Sequence, residues 1–228
     1  MIDKQSRSAK LGATAGFIVL AMISTSSAAV LSGPARIVDG DTLEVTGVVI
    51  RLHGIDAPEA GQRCTSAKAG SWPCGEAAMD RLAELLSTRV TCKGTEHDAY
   101  GRLLAICQTF DGSVVNSLLV AEGYAWAFRK YSVDYVAQED EARASRRGVW
   151  QAQTQTPWDY RAAKWAVAEQ NSPNGCPIKG NISSNGHIYH PPWSPWYAKT
   201  KVTPSKGERW FCSESEAINA GWRAPSWR

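Results

Sequence analysis

Apolar and β-branched positions come in short bursts at residues 35–38, 43–46 and 48–52, broken at Asp39–Gly40 and Thr46–Gly47. Bursts of this length with Gly-bearing breaks predict three successive strands of a meander, the second break being a tight hairpin. The period then changes. In GEAAMDRLAELLS, Ala78, Leu82 and Leu85, with Met79 and Leu86 one residue off, fall on one helical face. VTC and LLAIC read as strands flanking the loop KGTEHDAYGR, and Asp111–Gly112 marks a further turn. VVNSLLVAEG predicts a short helix stopped by Gly123, YAWAF an extended piece, and DYVAQEDEARASRRG a mostly solvated helix opened by Asp134 and closed by Gly148. Five short strands with helices at their edges are compatible with a small closed β-barrel. Periodicity alone does not separate that from other α+β arrangements.

The amino end adds an address. Lys4, Arg7 and Lys10 precede an apolar run from Leu11 to Ile23, and small residues follow at 24–29. Basic, apolar, then small is the order of a secretory signal, and the run is short for a bilayer span. Residues 1–29 are therefore expected to be a signal peptide, with an uncleaved anchor as the alternative. The rest is expected to be exported, periplasmic or secreted, with no membrane span after cleavage. In an oxidising compartment the six cysteines read as disulfides, and neighbourhood in sequence suggests Cys64 with Cys74, Cys92 with Cys107, and Cys176 with Cys212. Zinc held by Cys176, His187, His190 and Cys212 is the rival for the last pair, although their spacing fits no common zinc pattern.

Charge divides the chain. Residues 30–152 hold 13 Lys/Arg and 16 Asp/Glu, a net of −3, whereas residues 153–228 hold 9 and 5, a net of +4, with seven of the ten tryptophans. The polar QAQTQTPWDYR, carrying Pro157, reads as a linker near residues 151–160. The expected organisation is a main domain at 30–151, a linker at 152–175 and a small Trp-rich basic module at 176–228.

Asp39 and Asp41 around Gly40 are more than a hairpin turn requires. The next turn-like segment, RLHGIDAPEAG, begins with Arg51 and presents Asp56 and Glu59 around Pro58, which biases the residue before it away from helix. Adjacent strands ending in such turns would bring Asp41 and Asp56 together, and a hard cation bound by oxygens would relieve their repulsion. Arg102, in DAYGR, joins from a third segment. Three acids and two arginines are what phosphodiester hydrolysis needs: a metal site to polarise a phosphoryl oxygen, a carboxylate to take a proton from water, and guanidinium forks matched to phosphate oxygens. Taken singly each residue has a plainer reading: Asp39–Gly40 as a turn, Asp56 as a cap, Glu59 as a surface acid, the arginines as structural ion pairs. Only their order and spacing together are specific.

VDGDT, RLHGIDAPE, DAYGR and GVW at 148–150, in that order, closely resemble the thermonuclease family, the staphylococcal-nuclease-like domains, over roughly residues 35–151. The resemblance implies an α+β fold, a five-stranded OB-fold β-barrel with about three helices, and a calcium-dependent nuclease acting on DNA and RNA. It implies metal binding by Asp41 and Asp56 with the Ala57 carbonyl as a third oxygen, Glu59 as general base, and Arg51 and Arg102 on the phosphate. Thr42 would lie near the metal and Asp39 behind it. Cleavage of the 5′ P–O bond, leaving 3′-phosphate ends, is implied as well. The chain departs from the family's pattern at Ala57, where a Thr is usual, and at Ala99, where a Lys is usual. The base-stacking tyrosines have no clean match, Tyr100 and Tyr131 being the nearest. The insert CTSAKAGSWPC is expected to border the cleft.

Residues 176–225 resemble a short module found on exported nuclease-like proteins, through IKGN, IYH, GERWFCSE and AGWR. Its Lys, Arg and aromatic residues suit nucleic-acid contact. The favoured reading is a small disulfide-stapled core built on Trp193, Trp196, Trp210 and Trp222. SESEAINAG predicts a helix capped by Ser213 with Glu216 three residues on. DNA and RNA are the expected partners, with no stable protein partner and a monomeric chain. The alternative function is a catalytically silent OB-type module that binds nucleic acid or a cell-surface polymer, and its cue would be loss of Asp41, Glu59 or an arginine; none is lost.

Overall fold

In the computed structural model, residues 28–68 and 70–225 are described; the expected signal segment lies, but for its last two residues, outside them. Strands β1 (Ala29–Asp39), β2 (Thr42–Val45) and β3 (Val48–Leu52) form the anticipated meander. Two-residue strands β4 (Ile55–Asp56), β5 (Cys64–Thr65) and β6 (Ser71–Trp72) follow, then helix α1 (Cys74–Leu85), β7 (Arg89–His97) and β8 (Leu103–Gln108). The five longer strands close into a barrel in the order β1-β2-β3-β8-β7, with β3 and β8 parallel. This is the OB-fold arrangement. β1 is longer than the expected 35–38 because residues 29–34 pair with β7 and complete the ring. Ser32, Gly33 and Pro34 break the alternation that would have signalled a strand.

The barrel interior is apolar: Leu43, Val45, Ile50, Leu52, Val90, Leu103 and Ala105 are buried. Helix α1 covers it with Ala78, Leu82 and its C-cap Leu86, and α2 (Val115–Ala121) with Leu119 and Val120. Each fully buried Leu or Ile contributes roughly 1.5–3 kcal/mol. The YAWAF segment supplies β9 (Trp126–Ala127), which pairs with β4 so that Trp126 opposes Asp56. Helix α3 (Val136–Ala144) begins after Tyr135 and ends before its C-cap Ser145, inside the limits expected from Asp134 and Gly148. It is less solvated than its charge suggests, because Glu139 is buried, accepting the Ala127 N–H and the Arg129 guanidinium. The cysteines pair as 64–74, 92–107 and 176–212. The last bond takes both thiols from the zinc alternative.

The segment expected as a linker, 152–175, instead holds α4 (Pro157–Gln170). Pro157 is its first residue, where the missing N–H costs nothing, and the Thr156 hydroxyl accepts from the Asp159 N–H. Trp158 stacks on Phe128 with ring centroids 5.6 Å apart, fastening the helix to the main domain. Beyond it, β10 (Ile178–Ser183), β11 (Gly186–His190) and β12 (Arg209–Phe211) form one small sheet, and α5 (Glu214–Asn219) is capped by Ser213 as predicted. The module's core is Ile178, Tyr189, Phe211, Ala217 and Trp222; Trp193, Trp196 and Trp210 are half-buried around it rather than central. Glu208, buried, accepts from the Asn181 side chain and from the backbones of Ile182 and Thr203, which accounts structurally for much of the IKGN and GERWFCSE pattern.

Candidate active site

The spare aspartate and the glycine of the VDGDT turn serve one packing requirement. A Cβ on Gly40 would stand 2.9 Å from the Ala57 Cβ and 3.2 Å from that of Ala78. Only a glycine lets the β1–β2 turn press onto the Asp56–Pro58 segment, and that contact delivers Asp41. Its Oδ2 accepts the Ala57 N–H at 3.1 Å, and its Oδ1 accepts the Thr42 hydroxyl at 2.9 Å. Asp56 is held from the other side by the β4–β9 pairing. Arg51, opposite Thr42 in the β2–β3 register, reaches both acids: Nη1 donates to Asp41 Oδ1 at 2.7 Å and Nη2 to Asp56 Oδ1 at 2.8 Å. The two carboxylates therefore converge as the sequence predicts, around a shared guanidinium. At Ala57 the contact with Asp41 is made by the amide N–H, not the carbonyl.

Glu59, 7% exposed, sits in a tight loop. Its N–H donates to Gln62 Oε1 at 3.2 Å, its carbonyl accepts the Gln62 N–H at 2.7 Å, and Gln62 Nε2 donates to the Gln155 carbonyl at 2.7 Å. Gly75, in the first turn of α1, permits this: a Cβ there would overlap the Glu59 carbonyl oxygen. The Cys64–Cys74 disulfide staples the same loop. The β5–β6 insert bonds to Gln151 and Thr154.

Sequence reasoning missed Arg161. One turn along α4 from Trp158, its Nη2 donates to Asp56 Oδ2 at 2.7 Å and its Nη1 to Glu59 Oε1 at 2.6 Å and Asp56 Oδ1 at 3.2 Å. The signal was present as Trp158 and Arg161 at i, i+3 on a helix opened by Thr156–Pro157. Among the described residues, no group of three or more His, Cys, Asp or Glu stands in a metal-holding arrangement. The guanidiniums of Arg51 and Arg161 lie among the acids instead.

Arg102 stands at the same end of the barrel, because β8 runs parallel to β3 and pairs Leu104 with Arg51. Asp98 shapes its loop, accepting from the backbones of Tyr100 and Arg102 and from Arg102 Nε at 2.6 Å. Tyr100 lies under the Arg102 guanidinium, 5.1 Å from ring centroid to Cζ. Tyr131 is apart from these, exposed, its ring edge-on to Phe128.

Four carboxylates, of Asp39, Asp41, Asp56 and Glu59, share this space with two guanidiniums inside it. Removal from water disfavours charge on Asp41, but Arg51, the Ala57 N–H and Arg102 outweigh that and hold its carboxyl below the usual range. Asp39, poorly hydrated and next to the Asp41 charge, is pushed up to about 7. Glu59 is pushed well above the ordinary range, first by burial and then by Asp39. Arg51 and Arg161 are driven further toward their charged forms, the carboxylates more than offsetting burial. The cluster thus sets four carboxyl groups, two of them with raised proton affinity, around two guanidiniums, and all its side-chain acceptors are oxygens. That donor chemistry fits a hard divalent cation.

A groove of about 770 Å³ lies in the C-terminal module, away from these acids, lined in part by Lys199, Lys201, Lys206, Arg223 and Trp196.

Residues 49–152 match the family described as staphylococcal nuclease homologue, and residues 156–224 match ArfC. The chain is 34% identical over 188 residues to a micrococcal nuclease of Shigella flexneri, covering 75% of this chain and 99% of that protein. It is 32% identical over 163 residues to the succinoglycan biosynthesis protein ExoI of Rhizobium meliloti (strain 1021), covering 64% of this chain and 82% of that one. An uncharacterized endonuclease of Escherichia coli is 36% identical over 137 residues, 57% and 83% of the respective chains.

Proposed function

The chain belongs to the staphylococcal nuclease homologues and is a nuclease hydrolase, and on that premise we propose that it is an exported, calcium-dependent enzyme cutting phosphodiester bonds of DNA and RNA. The observation that carries this reading is the Arg51 guanidinium bridging Asp41 and Asp56, with Glu59 tied to Asp56 through Arg161. Asp41 and Asp56, with the Ala57 carbonyl, are the residues that would hold the ion. Calcium, when bound, supplies polarisation of a phosphoryl oxygen and orientation of the attacking water.

The chain's own residues do the rest. Glu59 takes a proton from the water as its oxygen bonds to phosphorus; burial raises the proton affinity of its carboxylate, which favours that transfer. The P–O5′ bond breaks, the 5′ oxygen leaves and is protonated from solvent, and the phosphate stays on the 3′ side. Arg51 and Arg102, adjacent through the β3–β8 pairing, offer planar forks to the extra charge on the equatorial oxygens. Thr42 steadies Asp41 through its hydroxyl, Asp39 shapes the turn by accepting the Gly40 N–H, and Tyr100 and Tyr131 offer aromatic faces to the strand. Three disulfides support an oxidising destination.

The test is hydrolysis of plasmid and single-stranded DNA with calcium and then with chelator. Calcium-dependent cleavage that falls about 10²-fold or more in Glu59→Gln is expected. Cleavage unchanged by chelator defeats the metal assignment. Binding without cleavage would favour the silent module, against which the retention of Asp41, Glu59, Arg51 and Arg102 argues.

A further inference from the structure

The C-terminal part of the chain puts a positive charge into the catalytic cluster. Arg161 of α4 contacts both oxygens of Asp56 and one of Glu59. Asp56 is fully buried, and its Oδ1 is shared between Arg51 and Arg161 while its Oδ2 faces Arg161. A divalent ion cannot approach Asp56 without displacing a guanidinium. Arg51 is rooted in a barrel strand and bonded to two acids. The Arg161 side chain is 24% exposed and projects from a helix held by Trp158, so it can swing outward while α4 stays docked.

Building on the calcium-dependent reading above, we infer that Arg161 gates the site by charge competition. Arg161 contests Asp56 and Glu59 with the divalent ion. The C-terminal segment is thereby an autoinhibitory element that sets the metal concentration at which cleavage begins. A positively charged side chain on a metal-binding carboxylate must lower ion affinity.

Binding, not turnover, tests this. Calcium affinity of the full mature chain is measured by calorimetry, with terbium luminescence in parallel, for wild type, Arg161→Gln and Arg161→Lys, each checked for a native circular dichroism spectrum. Arg161→Gln should bind the ion at least about tenfold more tightly, with Arg161→Lys between. Should Arg161→Gln not fold, Arg161→Lys is read by the same criterion. Wild type and variant binding equally, or the variant more weakly, overturns the inference and leaves the calcium reading standing. If neither binds either ion, both fail.

Discussion

Arg51 places one arm of its guanidinium on Asp41 and the other on Asp56, joining two buried carboxylates that lie on separate turns. That fork is both the electrostatic keystone of the barrel's end and the group offered to phosphate. Arg51→Ala should therefore lose on both counts: about 3–5 kcal/mol of stability, because two buried acids lose their partner, and about 10²-fold or more in cleavage rate. Arg51→Lys keeps the charge but not the fork, so it should recover more stability than activity. Thermal melts alongside single-stranded DNA hydrolysis check this; equal recovery of both would contradict the fork's dual role.

Gly40 is a spacing device. Gly40→Val inserts atoms where the Ala57 and Ala78 methyls already stand, with the nearest at 2.9 Å from the first carbon. A loss of about 1–3 kcal/mol is expected, along with weaker calcium binding as Asp41 moves away from Asp56. Urea melts and calcium calorimetry on the same preparation would show whether the two effects travel together.

The Cys92–Cys107 bond ties β7 to β8, the strands that carry the Arg102 loop, with a sequence separation of 15. Replacing both cysteines by serine should cost about 3 kcal/mol, the amount loop closure predicts for that length. Equilibrium unfolding in urea measures it.

His190 is buried in the C-terminal module, and burial, aided by Lys179, lowers its pKa from 6.5 to about 4. A depressed histidine means the unfolded chain binds the proton more readily. Its neutral, buried state is therefore fully tolerated above pH 6.5, and stability is lost as pH falls toward 4, by at most on the order of 3 kcal/mol. His190→Gln should flatten that acid slope, seen as a smaller drop in melting temperature between pH 7.5 and 4.5.

The motifs at 39–42, 51–59 and 98–102 were legible because each functional side chain sits beside a Gly or Pro turn at a strand end, where local chemistry and long-range packing agree. The Asp41–Asp56 convergence follows from strand order alone. Arg161 was not legible for the opposite reason. The polar run before Pro157 carries the signals of a breaker, and the same proline serves as a helix's first residue once Thr156 caps it. Nothing local says that this helix faces a carboxylate 105 positions earlier in the chain. The half-buried tryptophans show the complementary limit, since residue type predicts burial on average while Phe211 and Ile178 fill the module's centre.

Arg161 also changes what a boundary means in this protein. The point where the chain looks divisible, just after the barrel sequence ends, separates an acid from the guanidinium that neutralises it. A nick or recombination joint placed there would yield not a trimmed nuclease but one with an altered set-point, more readily armed by ions. Swapping such tails between relatives would retune the enzyme's threshold as surely as a substitution among the acids themselves.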